Sequence, residues 1–313
     1  MSPGSPVRPL PLVSYENLLT MPLEPIPWLV EPLIATGDRV IVYGAWGSYK
    51  SWVLASLALH LAAGRTWLEK FPIATGTNRV LYVDEEMSLR LFTRRLKRLA
   101  LGMSLTTESL PVQVLSRYGM RIEGVWVDDL LHQLKECDFD PDVVIIETFR
   151  RVFRGDEISA KDVAAFWQAL SPLSKAGKTI IISHHMRKPG QNGKGPIRDR
   201  FSGSTDILAG ADSALALERK AKDAFIIEHV KCREAEETDA FAVSFFEEHA
   251  EGPVHLRFEG TPADLKAEGA RHSKPNSLFD HSCGLLQTTR PAQLNCLPAS
   301  RHVESRQPPE SEP

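Results

Sequence analysis

Short aliphatic runs alternate along the chain with stretches of helical spacing. RVIVYG (39–44) is β-branched and ends in glycine, which predicts a buried strand entering a turn. KSWVLASLALHLAA (50–63) has helical composition, with Gly64 as its stop. RVLYVD (79–84) predicts a second strand. A helix over 85–102 follows, with Leu91, Leu96 and Leu99 at helical spacing. The pattern then predicts strands at 112–117, 142–149 and 178–185, with helices over 127–137 and 160–177 between them. Segments 211–220 and 224–233 read as later strands, with 240–248 pairing beside them. Such alternation implies an α/β fold, a mostly parallel central sheet flanked by helices.

Three regions stand outside this pattern. Residues 1–35 are proline-rich and read as an extended arm whose Trp28 and Leu29 pack onto the core. Residues 187–205 are glycine-rich, basic and polar, which predicts a loop. From about residue 263 the apolar periodicity vanishes, and the remainder reads as a disordered tail. The expected organisation is an arm over 1–24, one domain over 25–260 and a tail over 261–313.

Composition narrows the class without naming a function. The 313 residues are 42% hydrophobic and 25% charged, ordinary for a soluble protein. A net charge of -3 exerts no global pull on nucleic acid, so any such contact needs a local basic patch. Cys137, Cys232, Cys283 and Cys296 are widely spaced and fit a reducing cytoplasm. Prolines stand where a signal peptide needs an apolar run, and no apolar segment approaches the ~20 residues of a membrane span. The expectation is a soluble cytoplasmic protein with no membrane contact.

The chemistry concentrates in GAWGSYKS, comprising Gly44, Ala45, Trp46, Gly47, Ser48, Tyr49, Lys50 and Ser51, with Trp52 following. A strand, a glycine-containing turn and a helix opening on Lys-Ser form an anion site, because loop and helix N–H groups and the helix dipole all favour phosphate. Lys50 would reach the β/γ-phosphates of ATP, and the Ser51 hydroxyl would hold Mg²⁺. Tyr49 replaces the glycine of GxxxxGK[ST], and a left-handed tyrosine costs roughly 1–2 kcal/mol. Glu147, ending VVIIE, stands where a metal-side carboxylate is needed, with one methylene more than the usual aspartate. One of Asp84, Glu85 and Glu86 can face the attacking water, while the others are solvated or cap the next helix. His184 and His185 point to opposite sides of a strand, so they do not grip one metal; one of them can sense the γ-phosphate or simply end the strand. His272, His281, Cys283 and Cys296 fit no standard zinc spacing.

Taken in order, these segments resemble the RecA-like P-loop ATPases of the RepA/DnaB replicative-helicase group, over about residues 25–250. GAWGSYKS looks like Walker A, LYVDEEMS and the RRLKRLA after it match the second-strand segment, VVIIETFRR is similar to Walker B, and IIISHHMRK to the sensor strand. The resemblance implies a RecA-like core that hydrolyses ATP with Mg²⁺. It assigns Glu86 to water activation, Glu147 with Ser51 to the metal, and His185 to sensing. Lys231 and Arg233, in VKCR, would reach a neighbouring subunit's phosphates, where such a cation contributes ~10³–10⁵-fold. That implies a homo-oligomer, a ring (a hexamer among the options) or a filament, with ATP sites between subunits. Within one subunit, the other reading of Lys231 and Arg233 is surface pairing with Glu234, Glu236 and Glu237, which is worth little. Three functions remain open: a DNA helicase or DNA-dependent ATPase with single-stranded DNA on the 187–205 loop, a nucleotide switch, and a binding module with little hydrolysis.

Overall fold

The computed structural model describes residues 11–105, 109–186 and 196–265. The arm contains a short helix α1 (Tyr15–Thr20), capped by Ser14 and burying no side chain. PIPWLVEPLI, expected as extended lead-in, forms a small hairpin of β1 (Trp28–Val30) and β2 (Ile34–Ala35), with Leu29 buried as expected. β3 (Arg39–Gly44) and α2 (Lys50–Ala63) appear with the expected bounds, and Gly64 ends α2 in the left-handed conformation. β4 (Val80–Asp84) precedes α3 (Leu89–Gly102), which starts four residues later than expected. The Asp84 carboxylate holds the intervening turn by accepting from the Glu86 and Met87 amides, and Ser88 caps the helix. Phe92 takes the core position beside Leu99, while Leu91 faces solvent.

β5 (Val112–Ser116) and α4 (Trp126–Glu136) follow. β6 (Val143–Glu147) ends before Thr148, which opens the short α5 (Phe149–Val152). The single helix expected over 160–177 is two, α6 (Ala160–Ala169) and α7 (Ser171–Lys175). Pro172 lies at the start of α7 and has no N–H to continue the first ladder. β7 (Thr179–His185) is followed, past residues 187–195, which lie outside the described residues, by a 3₁₀ turn at Ile197–Arg200. Then come α8 (Thr205–Gly210), β8 (Ser213–Arg219), β9 (Ala224–Cys232), β10 (Phe241–Glu247) and β11 (Val254–Phe258). The last strand was absent from the sequence expectation.

Among the described residues the main sheet has nine strands in the order β11-β10-β9-β8-β3-β7-β6-β4-β5. The six from β8 to β5 are parallel; β9, β10 and β11 extend the β8 edge antiparallel. Alternation splits the core between two faces. Val40 and Val42 join α2 and Tyr82 on one side, and Ile41 and Tyr43 join Phe149 and Phe166 on the other. No helix among the described residues is long and apolar enough to cross a membrane.

Candidate functional site

The carboxyl edge of β3 turns through residues 45–49 into α2. Gly44 is required by close approach: a Cβ there would sit 2.6 Å from both the Leu217 carbonyl and Ser48 Oγ. Gly47 has φ 75°, and Tyr49, also left-handed at φ 68°, precedes the first residue of α2. The Tyr49 ring leaves the loop sideways and stacks on Phe245 at 4.6 Å and Phe225 at 5.4 Å. It therefore does not fill the space over the loop. That space is a cavity of about 280 Å³ lined by the loop residues 46–52 together with Glu86, Met87, Arg95, Glu147, His185 and Arg219.

Lys50 is buried, and its ammonium donates to the carbonyls of Gly44 (2.8 Å) and Ala45 (2.9 Å). Burial lowers its pKa to about 8, opposed by the carboxylates of Glu147 and Glu86. The Ser51 hydroxyl donates to Glu147 Oε1, and the Tyr82 hydroxyl donates to Oε2 at 2.7 Å. Parallel pairing sets Asp84 directly beside Glu147. Burial raises Glu147 to about 7 against those two hydrogen bonds, and the neighbouring Asp84 pushes the same way. Asp84 is raised too, mainly by burial, and its Oδ2 is buried with no hydrogen-bond partner. Two buried carboxylates and a hydroxyl are hard oxygen donors short of positive charge, a set that fits Mg²⁺. Ser51 and Glu147 are the residues that would hold it.

The three acidic residues after β4 separate by partner. Asp84 Oδ1 accepts from the Glu86 and Met87 amides, and Glu85 accepts from the amides of Gly119 (3.0 Å) and Met120 (2.9 Å). Glu86 lines the cavity, its backbone carbonyl held by Arg117 at 2.8 Å. The two histidines diverge as strand geometry requires. His184 is buried between Phe149 and Phe201, and its Nε2–H donates to the Ser202 carbonyl at 2.9 Å. Burial lowers it to about 4, so it is neutral. His185 lines the cavity beside Gly44, with its pKa lowered by burial and then by Lys50.

The structure does not bring Lys231 and Arg233 to this cavity. Cys232, between them, pairs with Ser213, which aligns with Val40, whereas the loop leaves from Gly44. Four residues of strand separate the two levels, roughly 13 Å. Lys231 Nζ caps α8 through the carbonyls of Leu208 (2.7 Å) and Ala209 (3.2 Å). Arg233 binds Asp212 at 2.7 Å and the Ala209 carbonyl at 2.7 Å, not the acidic 234–237 segment expected as its alternative partner. From the basic loop, Arg198 pairs with Glu228 (2.9 Å) and Arg200 with Glu218 (2.7 Å). Arg187, Lys188 and Lys194, like the tail histidines and cysteines, lie outside the described residues.

Tyr82, Arg95 and Arg219 are site residues that were not singled out from sequence. Tyr82 is two positions from Asp84 and so shares its face of β4, a signal present in the strand pattern. Arg95 stands in the quoted RRLKRLA segment and lies 5.2 Å over the Trp52 ring. Arg219 ends a strand with no motif to mark it.

The family model described as AAA domain matches residues 5–191. No curated protein matches the chain. Among solved structures the chain is similar to one described as an ATPase domain, at 11% identity and TM-score 0.51, covering 68% of this chain and 83% of that one. A DnaB-like replicative helicase, described with its interactions with primase, aligns at 11% identity and TM-score 0.49; 68% of this chain spans 57% of that one. At such identity the likeness to the solved ATPase domain shows the fold, and the fold is RecA-like, as the motif order implied.

Proposed function

Since the chain belongs to the AAA domain family, we propose that it binds ATP with Mg²⁺ at residues 44–52 and hydrolyses it. One observation carries this reading: Lys50, Ser51, Glu147, Glu86 and His185, from four different segments, converge on one cavity at the carboxyl edge of the parallel sheet. The loop amides and Lys50 bind the phosphates and draw negative charge to the α2 N-terminus. Bound Mg²⁺ supplies charge neutralisation across the phosphate oxygens. Glu147, kept near Ser51 and oriented by Tyr82, offers it a carboxylate. Glu86 orients and accepts a proton from the attacking water. His185, neutral beside Gly44, reports on the terminal phosphate through a hydrogen bond.

In this reading Lys231 and Arg233 complete the site of an adjacent copy, which makes the working form a homo-oligomeric ring. Their position away from their own loop favours that arrangement over action in cis. The order of the motifs, on a fold shared with the solved ATPase domain, supports a DNA-dependent ATPase of RepA type. It would act in the cytoplasm in replication, recombination or mobile-element maintenance, with single-stranded DNA held through the 187–205 segment. A second reading, a nucleotide-binding module with little hydrolysis, is favoured by the two departures from the motif, Tyr49 for glycine and Glu147 for aspartate. ATPase assays with and without single-stranded DNA, beside the mass in solution, separate the two. DNA-stimulated turnover by a ring supports the first, and stoichiometric binding without turnover supports the second.

A further inference from the structure

The phosphate-loop pattern asks for a residue without a side chain at position 49, yet the half-buried Tyr49 side chain is held by three neighbouring side chains and a carbonyl. Its ring stacks on Phe245 of β10 at 26° and on Phe225 of β9 at 29°. The Arg219 guanidinium lies 5.1 Å over the same ring. Arg219 in turn holds the turn between β8 and β9: Nε donates to the Ala221 carbonyl (2.9 Å) and Nη2 to the Lys222 carbonyl (3.1 Å). The Tyr49 hydroxyl donates to that same Lys222 carbonyl. The backbone of residue 49 thus belongs to the phosphate loop while its side chain belongs to the β8–β9 turn. Aromatic pairs and a cation over a ring contribute about 0.5–1.5 kcal/mol each, enough to offset the left-handed backbone. Tyr49 and Arg219 also form the wall between the loop cavity and a second cavity of about 670 Å³, lined further by Lys222, Phe246 and Arg257.

We propose that Tyr49 is a positioning residue that couples the phosphate loop to the β8–β9 turn, residues 220–223, so that filling the loop with a nucleoside triphosphate is felt at the turn. The proposal rests on the nucleotide reading of Gly44–Ser51 and adds an output to that site. A glycine at 49 would remove the ring contacts and the hydroxyl bond that join the two segments, leaving Arg219 as the remaining side chain shared by the cavity and the turn. With tyrosine, a small shift of the peptides around the phosphates moves a ring clamped by Phe225, Phe245 and Arg219. The turn is exposed, and its Asp223 carbonyl accepts from the Phe245 amide of β10 at 2.7 Å. By linkage the effect is reciprocal, and anything that orders the turn tightens nucleotide binding by the same factor.

The test is hydrogen–deuterium exchange across residues 219–224 of the full chain, with and without Mg²⁺ and a non-hydrolysable ATP analogue. Affinity is measured in parallel with a fluorescent nucleotide. In the native protein and in Tyr49→Phe, which keeps the ring, the analogue should slow exchange at the turn by about 5- to 150-fold. In Tyr49→Gly, at analogue concentrations that saturate it whatever its affinity, exchange at the turn should be unchanged. Should Tyr49→Gly lose its cooperative melt, Tyr49→Leu removes the stacking with the β-carbon retained and must show the same uncoupling. Equal protection in Tyr49→Gly and the native protein overturns the coupling, as does binding by the native protein with no protection. Failure of the native protein to bind nucleotide at all contradicts the loop assignment itself, and the coupling falls with it.

Discussion

Two sets of cations lie at opposite edges of the same sheet and are held in different ways. At the carboxyl edge Lys50 is buried, with its pKa lowered, and faces carboxylates it does not fully neutralise. At the other edge Lys231 and Arg233 are satisfied by their own chain through helix carbonyls and Asp212. The first set is held in an electrostatically uncomfortable state, as sites that await a charged ligand are. In the second, burial lowers the Lys231 pKa as well, but its donors are taken up by carbonyls of its own chain rather than turned toward a cavity.

Arg233→Ala is the sharpest way to break the comparison. If the amino edge serves a neighbour's site, ATP turnover should fall about 10³-fold or more. Mixing Arg233→Ala subunits with Lys50→Ala subunits should then restore turnover above either alone. A mixture as inactive as its parts would reduce Arg233 to a helix-end contact. Glu86→Gln should lower turnover by about 10²–10⁴-fold with ATP affinity retained; normal turnover would move the base elsewhere on the cavity wall.

The smaller effects concern pH. Phosphate binds the protonated form of Lys50, so ATP affinity should weaken as pH rises through about 8, up to tenfold per unit beyond it. A flat affinity profile from pH 7 to 9.5 would show that Lys50 keeps its proton. For Glu147 the folded pKa lies above the unfolded one, so its contribution to stability is present below about 4.5. That contribution is lost as pH rises through about 7, on the order of 3 kcal/mol in the ligand-free protein. Glu147→Gln should flatten this part of the melting-temperature profile, and Mg²⁺ with nucleotide should reverse its sign in the native protein.

Much of the carboxyl edge was legible because it is written in local segments. The strand, loop and helix at 39–63 carry their own signals, and Glu147 ends an unmistakable buried run. What stayed hidden depends on strand order. Only the adjacency of β4 and β6 sets Asp84 against Glu147 and brings Tyr82 within reach of it. The fate of Tyr49 needed β9 and β10 at the antiparallel flank, more than 170 residues away in sequence. Helix α3 began late because side-chain acceptance by Asp84 competes with the first helical turn, a choice that periodicity does not register. The partners of Lys231 and Arg233 are the end of α8, a helix that the pattern did not predict, and Asp212 just after it.

The central claim is that the cavity over Gly44–Ser51 binds the phosphates of ATP. Titration of a fluorescent ATP analogue with Mg²⁺ into the native protein and Lys50→Ala tests it most directly. The native protein should bind, and Lys50→Ala should lose about 2–5 kcal/mol of affinity, at least thirtyfold, with its melting transition retained. Equal affinity in the two proteins would contradict it.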